Sequence, residues 1–380
     1  MLNRGPSRSF LTKTSSIMLL VAQLFLAACT AAVRPSVEPA ATATLAPPIP
    51  TLAYYYIWFD PTSWNQNKLD YPTLGKYSSD DTSVLLQHIE WAKQAGLSGF
   101  IVSWKNTATL NGRLAQLVKL ADQQNFKLAV IFEGLDVNRN PIPLDQISSG
   151  MDYFIQNFAS DPAFQIYDKP LVIWSGTWKF TPQQIQNVTN GRRDKLLILA
   201  SEKTADAYRS IADLVDGDAY YWSSINPDTY SGYQLKLQGM SQAIHAKHGL
   251  WIAPAAAGFD ARMIGGSTVV DRKNGDTLRS EMNVATQSNP DMIGVISWNE
   301  FTENSYIEPS QKYGHQYLDV LSSILHASPP VLAEMDSSEP AQVFQDPIQG
   351  SRVIALGGLF VLITGSLGFI AWRQFVHRSR

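Results

Sequence analysis

Two glutamates three residues apart, Glu300 and Glu303, stand directly after an apolar run that ends in Ser297-Trp298-Asn299. Carboxyl groups held close together cannot both ionise easily. One keeps its proton and can act as a general acid, while the other stays charged as a base or nucleophile. A third carboxylate, Glu133, follows another apolar run at Phe132, and a fourth, Glu308, lies five residues beyond Glu303. Aromatic residues stand at comparable places: Tyr56 and Trp58, Trp104, and Trp222 each close a short apolar run. Flat apolar faces beside paired carboxylates suit the binding and cleavage of hydroxylated rings, with the ring face on the indole and the acid–base pair at the bond to be broken.

These residues need a scaffold that delivers strand ends to one face. The apolar runs are 53–58, 99–104, 128–132, 170–174, 196–200, 218–222, 250–253 and 293–298, which makes eight. Between them lie segments of helical period at 80–95, 112–124, 147–158, 182–188, 204–214, 233–245, 277–287 and 314–325. In the first of these, Val84, Leu85, His88, Ile89, Ala92 and Ala95 recur at spacings of three and four, after Asp80-Asp81 and before Gly96. That is an acidic start, one buried face and a glycine stop. Eight strand–helix alternations within residues 52–327 predict an α/β fold, a (β/α)8 TIM barrel. The open doubly wound sheet is the alternative, but the glycine-rich phosphate turn of its commonest members is absent. In a barrel of this kind the residues that follow the strands gather at the C-terminal face, where chemistry is done.

Composition narrows the class. Hydrophobic residues make up 45% and charged residues 17%, enough for a folded core. Thirty basic against thirty-three acidic residues give −3, so no basic field exists to hold nucleic acid. The six histidines are scattered and there is a single cysteine, so no disulfide framework, metal site or cofactor is predicted. Ten tryptophans and fifteen tyrosines are consistent with a polysaccharide or glycan as partner.

The ends speak of a membrane. Residues 1–28 carry Arg4, Arg8 and Lys13 ahead of an apolar stretch too short to span a bilayer comfortably, the pattern of a signal peptide. The stretch ends Leu26-Ala27-Ala28-Cys29, similar to the bacterial lipobox, which implies lipidation of Cys29. Residues 29–51 are rich in Ala, Pro and Thr and read as an extended tether; residues 328–352, rich in Pro and Ser, read as a second linker. Residues 353–372 hold no charge and would cover roughly 30 Å as a transmembrane helix. The basic tail, 373–380, would then lie in the cytoplasm, with the barrel outside the cell on the bacterial surface.

Two segments carry a family resemblance. The first joins Ala53-Tyr54-Tyr55-Tyr56 and Trp58 to Tyr71-Pro72-Thr73-Leu74-Gly75-Lys76-Tyr77, His88-Ile89-Glu90-Trp91-Ala92 and Gly99-Phe100-Ile101-Val102-Ser103-Trp104. The second is Ile296-Ser297-Trp298-Asn299-Glu300-Phe301-Thr302-Glu303 with Ile307-Glu308-Pro309-Ser310 and Tyr313-Gly314. Together they resemble glycoside hydrolase family 99 and its wider relatives, which include endo-α-mannosidases. Family 71, the α-1,3-glucanases, is similar enough to stay in view.

With the ends implying an extracytoplasmic domain, the family-99 resemblance implies a hydrolase of α-linked, mannan-like polysaccharide. It also implies Glu303 as the acid/base at the leaving oxygen and Glu300 as the base on the sugar 2-hydroxyl. Retention would follow through a 1,2-anhydro sugar. Glu133 matches a carboxylate position near the substrate in these relatives, and Tyr56, Trp58, Trp104, Trp222, Asn299 and Glu308 complete the expected binding residues. Thr302 departs from the family pattern, which has histidine there. Glu308 has a second reading, as a loop clamp paired with an arginine, and Trp298 a second reading as packing beneath the site. A carbohydrate-binding surface lipoprotein without turnover is the rival of a different class.

Overall fold

The computed structural model describes residues 48–326 except 67 and 137. The signal segment, Cys29, most of the first linker, the second linker, the C-terminal apolar segment and the basic tail therefore lie outside the described residues. Among the described residues no helix is long and apolar enough to cross a membrane.

Eight parallel strands form the barrel: β1 (Thr51–Tyr56), β2 (Gly99–Trp104), β3 (Lys127–Glu133), β4 (Leu171–Ser175), β5 (Leu197–Leu199), β6 (Gly217–Ala219), β7 (Leu250–Ala256) and β10 (Met292–Ile296). Their order is β5-β4-β3-β2-β1-β10-β7-β6. The ring is closed between β5 and β6 by the parallel bridge Ala200–Asp218, with Ala219 N–H donating to the Ala200 carbonyl at 2.9 Å. Two short strands, β8 (Phe259–Asp260) and β9 (Val269–Val270), make an antiparallel hairpin after β7 that the run pattern does not predict. The helices are α1 (Thr82–Gln94), α2 (Ala108–Gln123), α3 (Leu144–Asn157), α4 (Pro182–Thr189), α5 (Ala205–Ile211), α6 (Tyr233–His245), α7 (Asp276–Gln287) and α8 (Gln316–Leu325).

The strands are predominantly apolar because each buries both faces. Leu52, Tyr54, Ile101, Ala129, Ile131, Leu171, Ile173, Leu199, Ala219, Ile252, Ala256, Met292 and Ile296 fill the barrel interior. Their neighbours of opposite parity, such as Ala53, Tyr55, Phe100, Val102, Leu128 and Val130, pack outward in the larger cluster shared with the helices. Gly294 is required inside: a Cβ there would meet the Tyr54 ring at 2.8 Å. In α1, Asp81 accepts from Ser83 N–H and caps the start, Val84, Leu85, His88, Ile89 and Ala92 are buried, and Gly96 turns away at φ +90°.

Several strands end earlier than the apolar runs suggest. β1 begins at Thr51, one residue inside the expected linker, and stops at Tyr56, so Trp58 belongs to the loop. β6 stops at Ala219 and leaves Tyr220, Tyr221 and Trp222 above it; β10 stops at Ile296 and frees Trp298. Aromatic residues prolong the apolar signal past the last ladder hydrogen bond; Trp58, Tyr220, Tyr221 and Trp222 line the mouth of the barrel, while Trp298 is buried. Gly112, expected to open the second helix, lies within α2, whose cap is Thr107.

Candidate active site

The segment after β10 closes on itself. Ser297 N–H donates to the Ser305 carbonyl (2.9 Å), Ile307 N–H to the Ser297 carbonyl (2.9 Å) and Glu308 N–H to the Trp298 carbonyl (2.9 Å). Glu300 N–H donates to Ser297 Oγ at 2.9 Å. From outside, Arg272 donates through Nη2 to the carbonyls of Asn304 (2.7 Å) and Tyr306 (2.8 Å), and Asp260 N–H donates to the Glu303 carbonyl (2.8 Å). The hairpin after β7 thus holds the loop that carries both glutamates.

That loop presents Glu300 and Glu303 to a pocket of about 200 Å³ at the C-terminal end of the barrel. Its wall includes Tyr56, Trp58, Glu133, Tyr221 and Trp222, with Arg139, Trp178 and Lys203 on the side of β3, β4 and β5. Tyr56 and Trp58 stack with centroids 4.4 Å apart, and the Tyr56 and Tyr221 hydroxyls meet at 2.8 Å. Glu133 accepts from Ser103 Oγ at 3.0 Å.

Glu300 is buried, 6% exposed, and its Oε1 accepts from the backbone N–H of Thr302 (3.0 Å) and from the Thr302 hydroxyl. Where the family pattern has an imidazole, this chain has a hydroxyl donor on Glu300. Burial pushes the Glu300 carboxyl up to about 8, assisted by the nearby Glu303 and opposed by Lys68. Burial likewise pushes Glu303 up to about 7, opposed by Arg139 and by Ser223, whose Oγ lies 3.5 Å from Oε2. The two carboxyls act as one titrating unit that retains a proton around neutrality.

Six of the expected residues meet in this pocket: Glu300, Glu303, Glu133, Tyr56, Trp58 and Trp222. Three do not line it. Trp104, 1% exposed, packs on Phe132 and Phe154 between β2 and α3, with Nε1 donating to Asn111 Oδ1 at 3.0 Å; its position at a strand end points it outward, into the core. Glu308 lies behind the site, where Oε2 accepts from Tyr77 (2.9 Å) and Oε1 lies 3.1 Å from His88 Nε2. It is a clamp, but its partner is a histidine and not an arginine. Asn299 is fully buried and braces Tyr56 from below, its Oδ1 accepting from Tyr56 N–H at 2.9 Å. Trp298 packs beneath the site against Phe100 and His88.

Arg139, Lys203 and Lys68 escape the sequence reading. Each is an isolated cation in a loop with no spacing to mark it, and only the ring of strands brings them toward Glu300 and Glu303. Among the described residues no group of three or more His, Cys, Asp or Glu side chains is placed to hold a metal ion. A second depression, at the N-terminal ends of β5, β6 and β7, has its cations paired, Arg193 with Asp216 (2.9 Å) and Lys247 with Asp213 (3.1 Å).

With this geometry in place, comparison with known proteins is informative. The model of glycosyl hydrolase family 99 matches residues 65–323. A glycoprotein endo-α-1,2-mannosidase of Rattus norvegicus is 24% identical over 278 residues, covering 66% of this chain and 59% of the relative. A glycoprotein endo-α-1,2-mannosidase-like protein of Homo sapiens is 24% identical over 277 residues, covering 66% of this chain and 60% of the relative. This chain's matching part therefore spans about three fifths of the curated relatives' length. Among solved structures, the GH99 endo-α-mannosidase of Bacteroides thetaiotaomicron superposes with a TM-score of 0.64 at 20% identity, covering 74% of this chain and 97% of that one. A glycoside hydrolase-like protein gives 0.58 at 16%, over 75% and 96%. These two share the fold with this chain. Of the two families that the sequence kept in view, the match is to the first: the chain belongs to glycosyl hydrolase family 99.

Proposed function

We propose that this protein is a retaining glycoside hydrolase that cleaves α-mannosidic bonds in mannose-containing glycans. The observation that carries the reading is the meeting of Glu300 and Glu303 in one aromatic-walled pocket, where burial raises both carboxyls, in a family-99 chain. The similarity to endo-α-1,2-mannosidases supports mannose as the sugar.

In the proposed reaction Glu300 removes the proton from the 2-hydroxyl, and that oxygen attacks the anomeric carbon. The bond to the leaving oxygen breaks as Glu303 protonates it, giving a 1,2-anhydro sugar. Glu303 then takes a proton from water, water opens the three-membered ring at the anomeric carbon, and Glu300 returns its proton to the 2-oxygen. Before substrate binds, burial favours the proton on Glu300. A bound 2-hydroxyl donating to Glu300 adds to the Thr302 donors and favours its ionised form, which leaves the proton to Glu303. Tyr56–Trp58 and Trp222 provide faces for sugar rings.

The sequence further supports a bacterial surface location, tethered through lipidated Cys29 and the apolar segment 353–372. Cys29→Ala would then release the N-terminal attachment and abolish labelling by a fatty-acid analogue. The hydrolase reading is tested by incubating the protein with α-1,2-linked manno-oligosaccharides, α-mannan and α-1,3-glucan and measuring new reducing ends. Release from the mannosides, absent in Glu303→Gln and Glu300→Gln, is expected. Binding without release, equal in all three proteins, would replace it with a carbohydrate-binding lipoprotein.

A further inference from the structure

The pocket is polarised. Its carboxyls come from β3 and the loop after β10, while its cations come from the loops after β3 and β5. Lys203 Nζ lies 4.3 Å from the centroid of the Trp178 ring and Arg139 Cζ lies 5.9 Å from it, so the two cations share one indole. Among the described residues neither cationic head has a carboxylate within ion-pair distance. Lys236 adds a third cation nearby: its Nζ donates to the Lys203 carbonyl at 2.6 Å and sits 5.6 Å from the Trp222 ring centroid. The carboxyl next in sequence, Glu202, is buried, 3% exposed. Burial holds the Lys203 ammonium below its ordinary range, and repulsion from Arg139 and Lys179 lowers it further, against an attraction to the neighbouring Glu202.

Like charges gathered in a partly desolvated wall cost stability unless something of opposite charge meets them. Glu303 and Glu133 attract Arg139 across the pocket but do not contact it. Neutral sugar hydroxyls can accept hydrogen bonds from these heads, yet they cannot offset the charge. A negative group on a sugar unit lying against Trp178 does both.

We propose that the glycan taken by this pocket carries an anionic substituent, a phosphate ester or a uronate carboxylate, on a sugar unit held by Lys203 and Arg139 over Trp178. The assignment rests on the glycan-binding reading above and concerns specificity within that site. Phosphate and carboxylate share the chemistry the wall recognises, and the test separates them.

The test measures binding of methyl α-mannoside, methyl α-mannoside 6-phosphate and methyl α-mannuronate to the full chain by tryptophan fluorescence and calorimetry. Wild type, Lys203→Met and Lys203→Arg are compared at two salt concentrations. The expected result is tighter binding of one or both anionic sugars by about tenfold or more, the scale of a charge-assisted contact. The preference should be lost in Lys203→Met, be kept in Lys203→Arg and shrink with salt. Preference for the phosphate alone assigns phosphate; preference for both assigns an anion in general. Equal binding of the three sugars, or an anionic preference that Lys203→Met leaves intact, overturns the proposal. Anion-selective binding by a protein that cleaves no glycan would instead sink the hydrolase reading and leave this one standing.

Discussion

Asn299 holds Tyr56 by both of its backbone groups. Tyr56 N–H donates to Asn299 Oδ1 at 2.9 Å, and Asn299 Nδ2 donates to the Tyr56 carbonyl at 3.0 Å. The pair joins the end of β1 to the loop that carries Glu300 and Glu303, so the first aromatic of the pocket and its carboxylates are placed by one side chain. Asn299→Asp keeps the size but turns the donor into a second acceptor facing a carbonyl, and buries a charge as well. Turnover should fall by about ten- to a hundredfold, with loss of stability of about 1–3 kcal/mol, the cost of unsatisfied buried groups. Steady-state kinetics together with urea unfolding would measure both.

The pH profile should report the raised pair. A working site needs one carboxyl protonated and one ionised. Activity should therefore decline below about 7, where both carboxyls of the pair are protonated, and above about 8, where both are ionised. Lys68 holds Glu300 down, so Lys68→Met should move the alkaline limb of kcat/KM to higher pH. An optimum near pH 4–5, where unperturbed carboxylates titrate, would contradict the electrostatics.

Trp104 and Trp222 should separate cleanly. Trp104→Ala removes a buried ring from the packing between β2 and α3 and should cost about 3–5 kcal/mol of stability. Trp222→Ala opens the pocket wall and should raise KM with a smaller stability change. Chemical denaturation beside substrate titration distinguishes the two.

Glu308 should behave as structure. His88 Nε2 and the Tyr77 hydroxyl both reach it, and Tyr55 extends the chain to His88 Nδ1 at 2.9 Å. His88→Leu leaves the buried carboxylate without one of its two donors, at about 3–5 kcal/mol. A drop in the urea midpoint without a matching shift in the pH optimum of the folded fraction is expected.

Two other buried acids predict how stability varies with pH. Burial holds both Asp218 and Glu281 well above the ordinary carboxylate range, although each accepts a backbone N–H, from Glu202 and Ala256 respectively. Such groups favour the fold when protonated. Their contribution is full below the unfolded value and is lost as pH rises toward the folded one. Glu281→Gln keeps an oxygen for the Ala256 N–H and cannot ionise. Its unfolding free energy should fall less between pH 5 and 8 than that of the wild type.

The barrel was legible because β1, β2 and β3 bury both faces and α1 buries one, so period and run length separate strand from helix. Glu300 and Glu303 were legible because they follow the last strand directly within a matched motif. Trp104 misled because a residue at a strand end can point to either side of the barrel wall, and run length does not give parity. Glu308 was ambiguous because its partners, Tyr77 and His88, lie more than two hundred residues earlier. Arg139 and Lys203 were invisible for the same reason: their proximity to Trp178 and Glu303 exists only once β3, β4, β5 and β10 are arranged in a ring.

Leaving-group chemistry separates Glu303 as the acid from Glu300 as the base. First-turnover release would be measured from an α-1,2-mannobioside and from the corresponding mannosyl fluoride, whose leaving group needs little protonation, in wild type, Glu303→Gln and Glu300→Gln. Glu303→Gln should lose the first reaction by about 10²–10⁴-fold and largely keep fluoride release, while Glu300→Gln should lose both. Equal losses on the two substrates in Glu303→Gln, or fluoride release undiminished in Glu300→Gln, would contradict these roles.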